Sequence, residues 1–243
     1  MIIDPAVHVL TRREEIDPTR LADRVFIVLD VLFATSTIVT ALAHGAKAVL
    51  PAINAQAART IASHHAEDDL LLAGEHLADT ITGFAPPTPL ALLEHAVEDR
   101  LVIYSTTNGT VALEALAGAQ HDYAAALLNG AQTITHVLRA HPNSRIVLVC
   151  SGSMGFFNLE DWIGAGYLVD LIANARGAGV DLSDAARAAR SCYRATAPLD
   201  GLMQGRVGRL FSGRGLTREI DYASQLSVLD AVVRREGERL VRL

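Results

Sequence analysis

The sequence predicts an α/β protein whose largely parallel sheet is covered by helices on both faces. Three observations predict it. Apolar runs of strand length recur along the chain; each ends in a turn rich in Gly, Ser, Thr or Asn; each turn leads into residues with apolar positions at helical spacing. Near-continuous apolar runs are what strands buried on both faces require, and parallel strands need crossover helices.

VFIVLDV (25–31) reads as the first such strand, and TSTIVTALAHGA as its helix, ending on Gly45 in the manner of a C-cap. KAVLPA (47–52) is a second strand, followed by an Ala-rich helix from about Asn54 to His65. DLLLAGE (69–75) is a third, then a loop containing PPTP (86–89) and a helix over 90–97. LVIYSTT (101–107) gives way at Asn108-Gly109 to the helix TVALEALAG, and AAALLNGAQ reads as a strand entering a turn. RIVLVCSG (145–152) is the most hydrophobic strand, and 159–175 the most regular helix. Farther on, SDAARAARSCYRA reads as a helix capped by Ser183. Residues 206–218 hold four arginines interspersed with glycines, and 220–243 resist assignment.

The 243 residues suit one domain over 1–243, or two closely packed halves divided near residue 140. Half the residues are apolar and 20% are charged, which predicts a real core and excludes general disorder. A net charge of −6 argues against a nucleic-acid surface, which normally shows a basic face. Lys47 is the only lysine, so a P-loop lysine is excluded and arginine is left to bind any anion. Cys150 and Cys192 form neither a disulfide framework nor a zinc knuckle. The N-terminal MIIDPAVHVL, followed by TRREEIDP, carries its charges in the wrong order for a signal peptide. No apolar run approaches the roughly 20 residues of a membrane span. The expectation is a reduced, cytoplasmic protein that binds neither nucleic acid nor membrane.

In open parallel sheets the site lies beyond the carboxyl ends of the strands. That rule selects Asp30 with Thr35, Ser36 and Thr37 at the following helix start; Glu75 after Gly74; the turn Thr106–Thr110, including Thr107, Asn108 and Gly109; and Ser151, Gly152, Ser153 and Gly155, with Glu160 and Asp161 opening the next helix. Hydroxyls and free N–H groups at helix starts bind phosphate, and the helix dipole reinforces them. Carboxylates at neighbouring strand ends supply hard oxygen ligands for Mg²⁺, so together these are the parts of a metal-assisted phosphoryl-transfer site. Each also has a structural reading: Asp30 as a turn or cap residue, Glu160-Asp161 as partners of a helix dipole, STTNGT as an ordinary turn, Arg206–Arg218 as solvated surface or an anion site.

Covalent phosphatase chemistry finds no support. An aspartyl nucleophile needs a second acid two positions on, where Leu32 stands; a cysteine nucleophile at 150 needs arginine six positions on, where Phe156 stands. Gly152-Ser153-Met154-Gly155 lacks the spacing of a serine-hydrolase elbow. A metal-activated water attacking the phosphate is the simpler mechanism.

DVLFATSTIVTALAHGA, LLAGE followed by GF, STTNGTVAL and CSGSMGFFNLEDWIGAGYLVDLI, in this order, resemble the 2-phosphosulfolactate phosphatase family (ComB-like). The resemblance runs from about Arg24 to Ile172 and continues more weakly through GRL, an E-I pair and an apolar ending. It implies a three-layer α/β/α fold with a largely parallel or mixed sheet. It also implies a Mg²⁺-dependent phosphatase releasing phosphate from 2-phosphosulfolactate. Carried over by position, Asp30, Glu160 and Asp161 fall in catalytic places, and Asp30, Glu75, Glu160 and Asp161 in metal-binding ones. Ser36, Thr37, Thr107, Asn108, Gly109, Gly152 and Gly155 fall in substrate-binding ones. Two departures stand out: Phe33 replaces the family's arginine in D-V-L-R-A-T, and Phe84–Pro89 replaces an Asn/Ser-containing stretch. Exchanging a bidentate donor for a ring bears directly on how an anionic substrate is held. Besides the phosphatase, a relative that binds a phosphorylated metabolite without hydrolysing it, or acts on another substrate, therefore stays open. The expected partner is a small anionic phosphorylated compound, and the sequence leaves room for a homo-oligomer.

Overall fold

The computed structural model describes residues 6–177 and 179–243; residues 1–5, which open the segment where no signal peptide is expected, lie outside the described residues. In chain order the elements are β1 (Val7–Leu10), β2 (Arg24–Leu29), α1 (Ala34–Ala43), β3 (Ala48–Ala52), α2 (Ala55–Ala62), β4 (Leu70–His76), β5 (Asp79–Thr80) and α3 (Pro89–Leu93). They continue with β6 (Leu101–Ser105), α4 (Gly109–Glu114), β7 (His121–Ala124), α5 (Gly130–Ala140), β8 (Arg145–Cys150) and α6 (Leu159–Arg176). The C-terminal part adds α7 (Asp184–Ala195), α8 (Pro198–Gln204), α9 (Arg206–Gly213), α10 (Thr217–Ala223), β9 (Val233–Glu236) and β10 (Arg239–Arg242). Among the described residues, no helix is long and apolar enough to cross a membrane.

One sheet runs β1-β8-β2-β7-β9-β10-β3-β6-β4-β5. It is mixed. Strands β1, β8, β2 and β7 pair in parallel as one block, and β3, β6 and β4 as another. The hairpin β9–β10 joins the blocks, each of its strands antiparallel to its neighbours. Sheet and helices thus make the expected three-layer α/β/α arrangement.

Period-two alternation sorts side chains to the two faces. Val25, Ile27 and Leu29 of β2, with Ile146, Leu148 and Cys150 of β8, pack among α5, α6 and α7. Phe26 and Val28, with Val147 and Val149, point the other way, into α1 and α4. A third cluster packs Ala48, Leu50 and Ile103 on Ala58 of α2. Each large side chain so buried stabilises the fold by ~1.5–3 kcal/mol, and this double-sided burial is why the strands read as unbroken apolar runs.

The ends follow local chemistry. Gly45 has φ +90 and ends α1, as its sequence position predicts. Asn54 caps α2 through Ala57 N–H at 2.8 Å, and Ser183 caps α7 through Ala186 N–H at 3.1 Å. The strand expected in AAALLNGAQ lies earlier, at His121–Ala124. Asn129 accounts for the shift: its Oδ1 accepts Ala126 N–H and its Nδ2 donates to Ala231 O, drawing the chain away from the sheet.

Candidate active site

The parallel strands place their carboxyl ends along one edge, where a cavity of about 190 Å³ opens. Asp30 follows β2, Glu75 lies near the end of β4, Thr107 and Asn108 follow β6, Gly152 and Ser153 follow β8, and Arg206 begins α9; all of them line it.

Asp30 is the acid on the floor. The turn behind it is fixed by Thr35, whose Oγ1 accepts Asp30 N–H at 3.0 Å and donates to Asp30 O at 3.1 Å. Its carboxylate Oδ1 accepts only a long 3.4 Å bond from Ala34 N–H. Oδ2 lies against Gly109, where a Cβ would stand 2.5 Å from it and 2.3 Å from Ala34 Cβ. Only glycine admits this approach, which gives the Asn-Gly of the turn a steric reason. Burial pushes the Asp30 pKa up to about 7, against the Ala34 N–H; Glu75 and Glu160 add to the rise, and Arg13 opposes it.

Glu75 and Asp161 act as clamps. Glu75 Oε1 accepts Thr107 N–H at 2.6 Å, and Oε2 accepts Thr107 Oγ1 at 3.0 Å and Ala78 N–H at 2.6 Å. That ties β4 to the turn after β6. Asp161, fully buried, accepts Val31 N–H at 2.9 Å and Gly152 N–H at 3.2 Å, tying the turns after β2 and β8 to the start of α6. Burial drives its pKa well up, and Asp30 and Glu160 add to the rise.

Glu160 is buried with neither carboxylate oxygen hydrogen-bonded. Its Oε2 abuts Gly205, where a Cβ would lie 2.3 Å away. Burial raises its pKa to about 7, opposed by its own main-chain N–H, Arg206 and Arg209.

Of the expected site residues, Asp30, Glu75, Thr107, Asn108 and Gly152 line the cavity, while Ser36, Thr37, Gly109, Gly155, Glu160 and Asp161 lie outside its lining. The hydroxyls of Ser36 and Thr37 are already engaged, donating to Val31 O at 2.8 Å and Pro87 O at 2.7 Å. They shape the first turn of α1 rather than facing a substrate. Gly155 offers its carbonyl to Arg12 at 2.9 Å.

The four acids do not form one metal-binding set. Among the described residues no three His, Cys, Asp or Glu side chains are grouped to hold a metal ion. Glu75 and Asp161 are occupied by N–H and O–H donors, which leaves Asp30 and Glu160 as the carboxylates with oxygens to offer. One or two carboxylates completed by water and a substrate phosphate are what Mg²⁺ ordinarily takes, so this pair fits the ion.

Two arginines complete the site. Arg206 Nη2 lies 3.3 Å from Asn158 Oδ1 and 3.5 Å from Ser153 O, which holds its guanidinium at the cavity. It belongs to the arginine group over 206–218 that the sequence offers as an anion site. Arg13, which sequence reasoning did not single out, donates to Asn108 Oδ1 at 3.1 Å and Ser151 O at 3.3 Å. It follows β1, whose parallel pairing with β8 carries it to the site edge; the alternation Val7, Val9 ahead of it is the only local signal. Phe211, also not singled out, packs its ring 4.9 Å from that of Phe33, and both line the cavity.

Comparison with known proteins points to a family. A family model described as 2-phosphosulpholactate phosphatase matches residues 10–238. A protein of Clostridium perfringens (strain SM101 / Type A) named "Probable 2-phosphosulfolactate phosphatase" is 32% identical over 230 residues, 93% of this chain and 92% of its own. A protein of the same name from Symbiobacterium thermophilum is 37% identical over 175 residues, covering 72% and 74% of the two chains. Another, from Clostridium beijerinckii, is 28% identical over 228 residues, covering 93% and 94%.

Proposed function

Because the chain belongs to the 2-phosphosulpholactate phosphatase family, whose members are phosphoric monoester hydrolases, we propose that it hydrolyses a small phosphorylated acid of the 2-phosphosulfolactate type with Mg²⁺ as cofactor. The products are the free hydroxy acid, sulfolactate for that substrate, and inorganic phosphate. The observation that carries this reading is Asp30: a buried carboxylate, its pKa pushed up to about 7 by burial, in the cavity that Arg206 and the turn after β6 also line.

In the proposed reaction Arg206 holds the phosphoryl oxygens. Asp30 orients a water and takes its proton as the water oxygen bonds to phosphorus and the ester oxygen leaves. That oxygen collects a proton from solvent. Asp30 and Glu160 would hold the Mg²⁺, which supplies charge neutralisation at the phosphoryl oxygens. Glu75 and Asp161 keep the turns in place, so that the groups need no rearrangement as charge moves. A cytoplasmic location belongs to the same proposal and is supported by two free cysteines.

The test is phosphate release from 2-phosphosulfolactate and phospholactate, with Mg²⁺ and with EDTA. Metal-dependent release that Asp30→Asn abolishes is the expected result. Binding of these acids without release would sink the enzyme reading in favour of a non-catalytic relative.

A further inference from the structure

The lining of the cavity is of two kinds. Among the residues lining it only Asp30, Glu75 and Arg206 carry charge, so a single guanidinium faces its interior. Much of the remaining lining is apolar: Leu32, Phe33, Val207 and Phe211, with Leu77 and Leu210 at the rim. The two rings are 6% and 8% exposed, whereas Leu77 and Leu210 are 55% and 44% exposed, so the rim presents apolar surface that a ligand would cover.

This division limits what can be bound. One guanidinium matches one phosphate. An anionic group seated against Leu32, Phe33, Val207 and Phe211 would lose its hydration there, with no charged donor among those side chains in return. An apolar group there gains about fourfold in binding for every methylene buried. The ring pair is tilted by 41°. Its edges and faces suit a branched aliphatic or aromatic group.

We infer that the preferred substrate is a phosphate monoester of a hydroxy acid bearing an apolar group, branched aliphatic or aromatic, where 2-phosphosulfolactate bears its sulfonate. This rests on the phosphatase reading and narrows its substrate. Phe33 and Phe211 are the specificity-determining residues.

The experiment compares kcat/KM, with Mg²⁺, for three acids that share the 2-phosphocarboxylate and differ in one substituent: 2-phosphosulfolactate, 2-phospho-4-methylpentanoate and 2-phospho-3-phenyllactate. The two apolar acids are expected to exceed the sulfonate by at least tenfold. Phe33→Arg, which puts a guanidinium into the apolar wall, is expected to invert that order in protein whose circular dichroism matches the parent. An equal or better rate on the sulfonate overturns the inference and leaves the phosphatase reading standing. Hydrolysis of none of the three refutes the phosphatase reading instead. The inference is then decided by calorimetric binding of the same acids, and tighter binding of the sulfonate overturns it.

Discussion

Asp161 holds the main-chain N–H of Val31 at 2.9 Å, so the start of α6 is fastened directly to the residue after Asp30. The sequence marks Asp161 as catalytic and metal-binding, but its geometry is that of a strut. Asp161→Asn presents an amide to two buried N–H groups and leaves at least one unsatisfied, a cost of about 1–3 kcal/mol. The Asp30 turn is expected to shift, and turnover to fall by at least tenfold, because displacements near 1 Å cost on the order of 100-fold. Urea melts and steady-state rates on one preparation check both. Wild-type rates with unchanged stability would remove Asp161 from any positioning role.

Glu160 behaves differently. Its buried carboxyl has no hydrogen-bond partner, so folding gains nothing specific from its charge. Glu160→Gln is therefore expected to melt at or above the parent temperature while Mg²⁺-supported turnover falls by roughly tenfold or more, because one of the two carboxylates that would hold the ion is lost. Loss of stability comparable to that of Asp161→Asn would show that Glu160 is structural.

The two raised carboxyls make stability depend on pH. In the fold Asp30 and Glu160 titrate near 7, against ordinary values of 3.8 and 4.5. The folded protein therefore binds more protons than the unfolded chain between those limits. Their stabilising contribution is complete below about 4 and is lost as pH rises through 7. In EDTA, the urea midpoint of the parent relative to Asp30→Asn is expected to be higher at pH 5 than at pH 8. A difference that stays flat, or grows with pH, contradicts the burial of Asp30.

Arg235 and Asp122 form a buried ion pair at 2.7 Å, their side chains 6% and 3% exposed, and Arg235 also reaches Glu114 at 3.1 Å. Burial outweighs the arginine and raises the pKa of Asp122. Breaking such a pair from one side costs about 3–5 kcal/mol. Arg235→Met is expected to lose that much, and adding Asp122→Asn to recover part of it. Urea unfolding of the double-mutant cycle measures the coupling; additive losses would mean that the pair contributes nothing beyond its members.

What was readable in the sequence depended on where each residue's partner lies. The β2 and β8 strands could be found from their own apolar runs, and Asp30 stood out because an acid ends such a run. Strands β9 and β10 could not. VVRREGERLVRL lies in the stretch that resists assignment, yet β9 and β10 lie mid-sheet with Val233 and Leu240 fully buried, and the charge on Arg235 is answered by Asp122, over a hundred residues away. Phe211 was hidden likewise, because the α9 region drew notice for its arginines while its apolar face points to Phe33. Glu75 and Asp161 were marked as site candidates from their places at a strand end and a helix start. Their role as clamps depends on main-chain groups of distant turns, which residue type does not reveal.

The hairpin β9–β10 is also the seam of the molecule. Leu240 pairs with Val49 and Val233 with Ala124, so the joint between the two parallel blocks is made by the strands farthest along the sequence. A chain emerging from the ribosome has both blocks before it has what unites them. Pairing at such separation is slow, because a long loop must close before any contact rewards it. Until then each block carries an open edge of unpaired N–H and C=O groups, of the kind that recruits other chains. The nascent protein is thus most exposed to misassociation in the interval before its seam closes, and the cavity, which takes Asp30 from one block and Glu75 from the other, is completed only then.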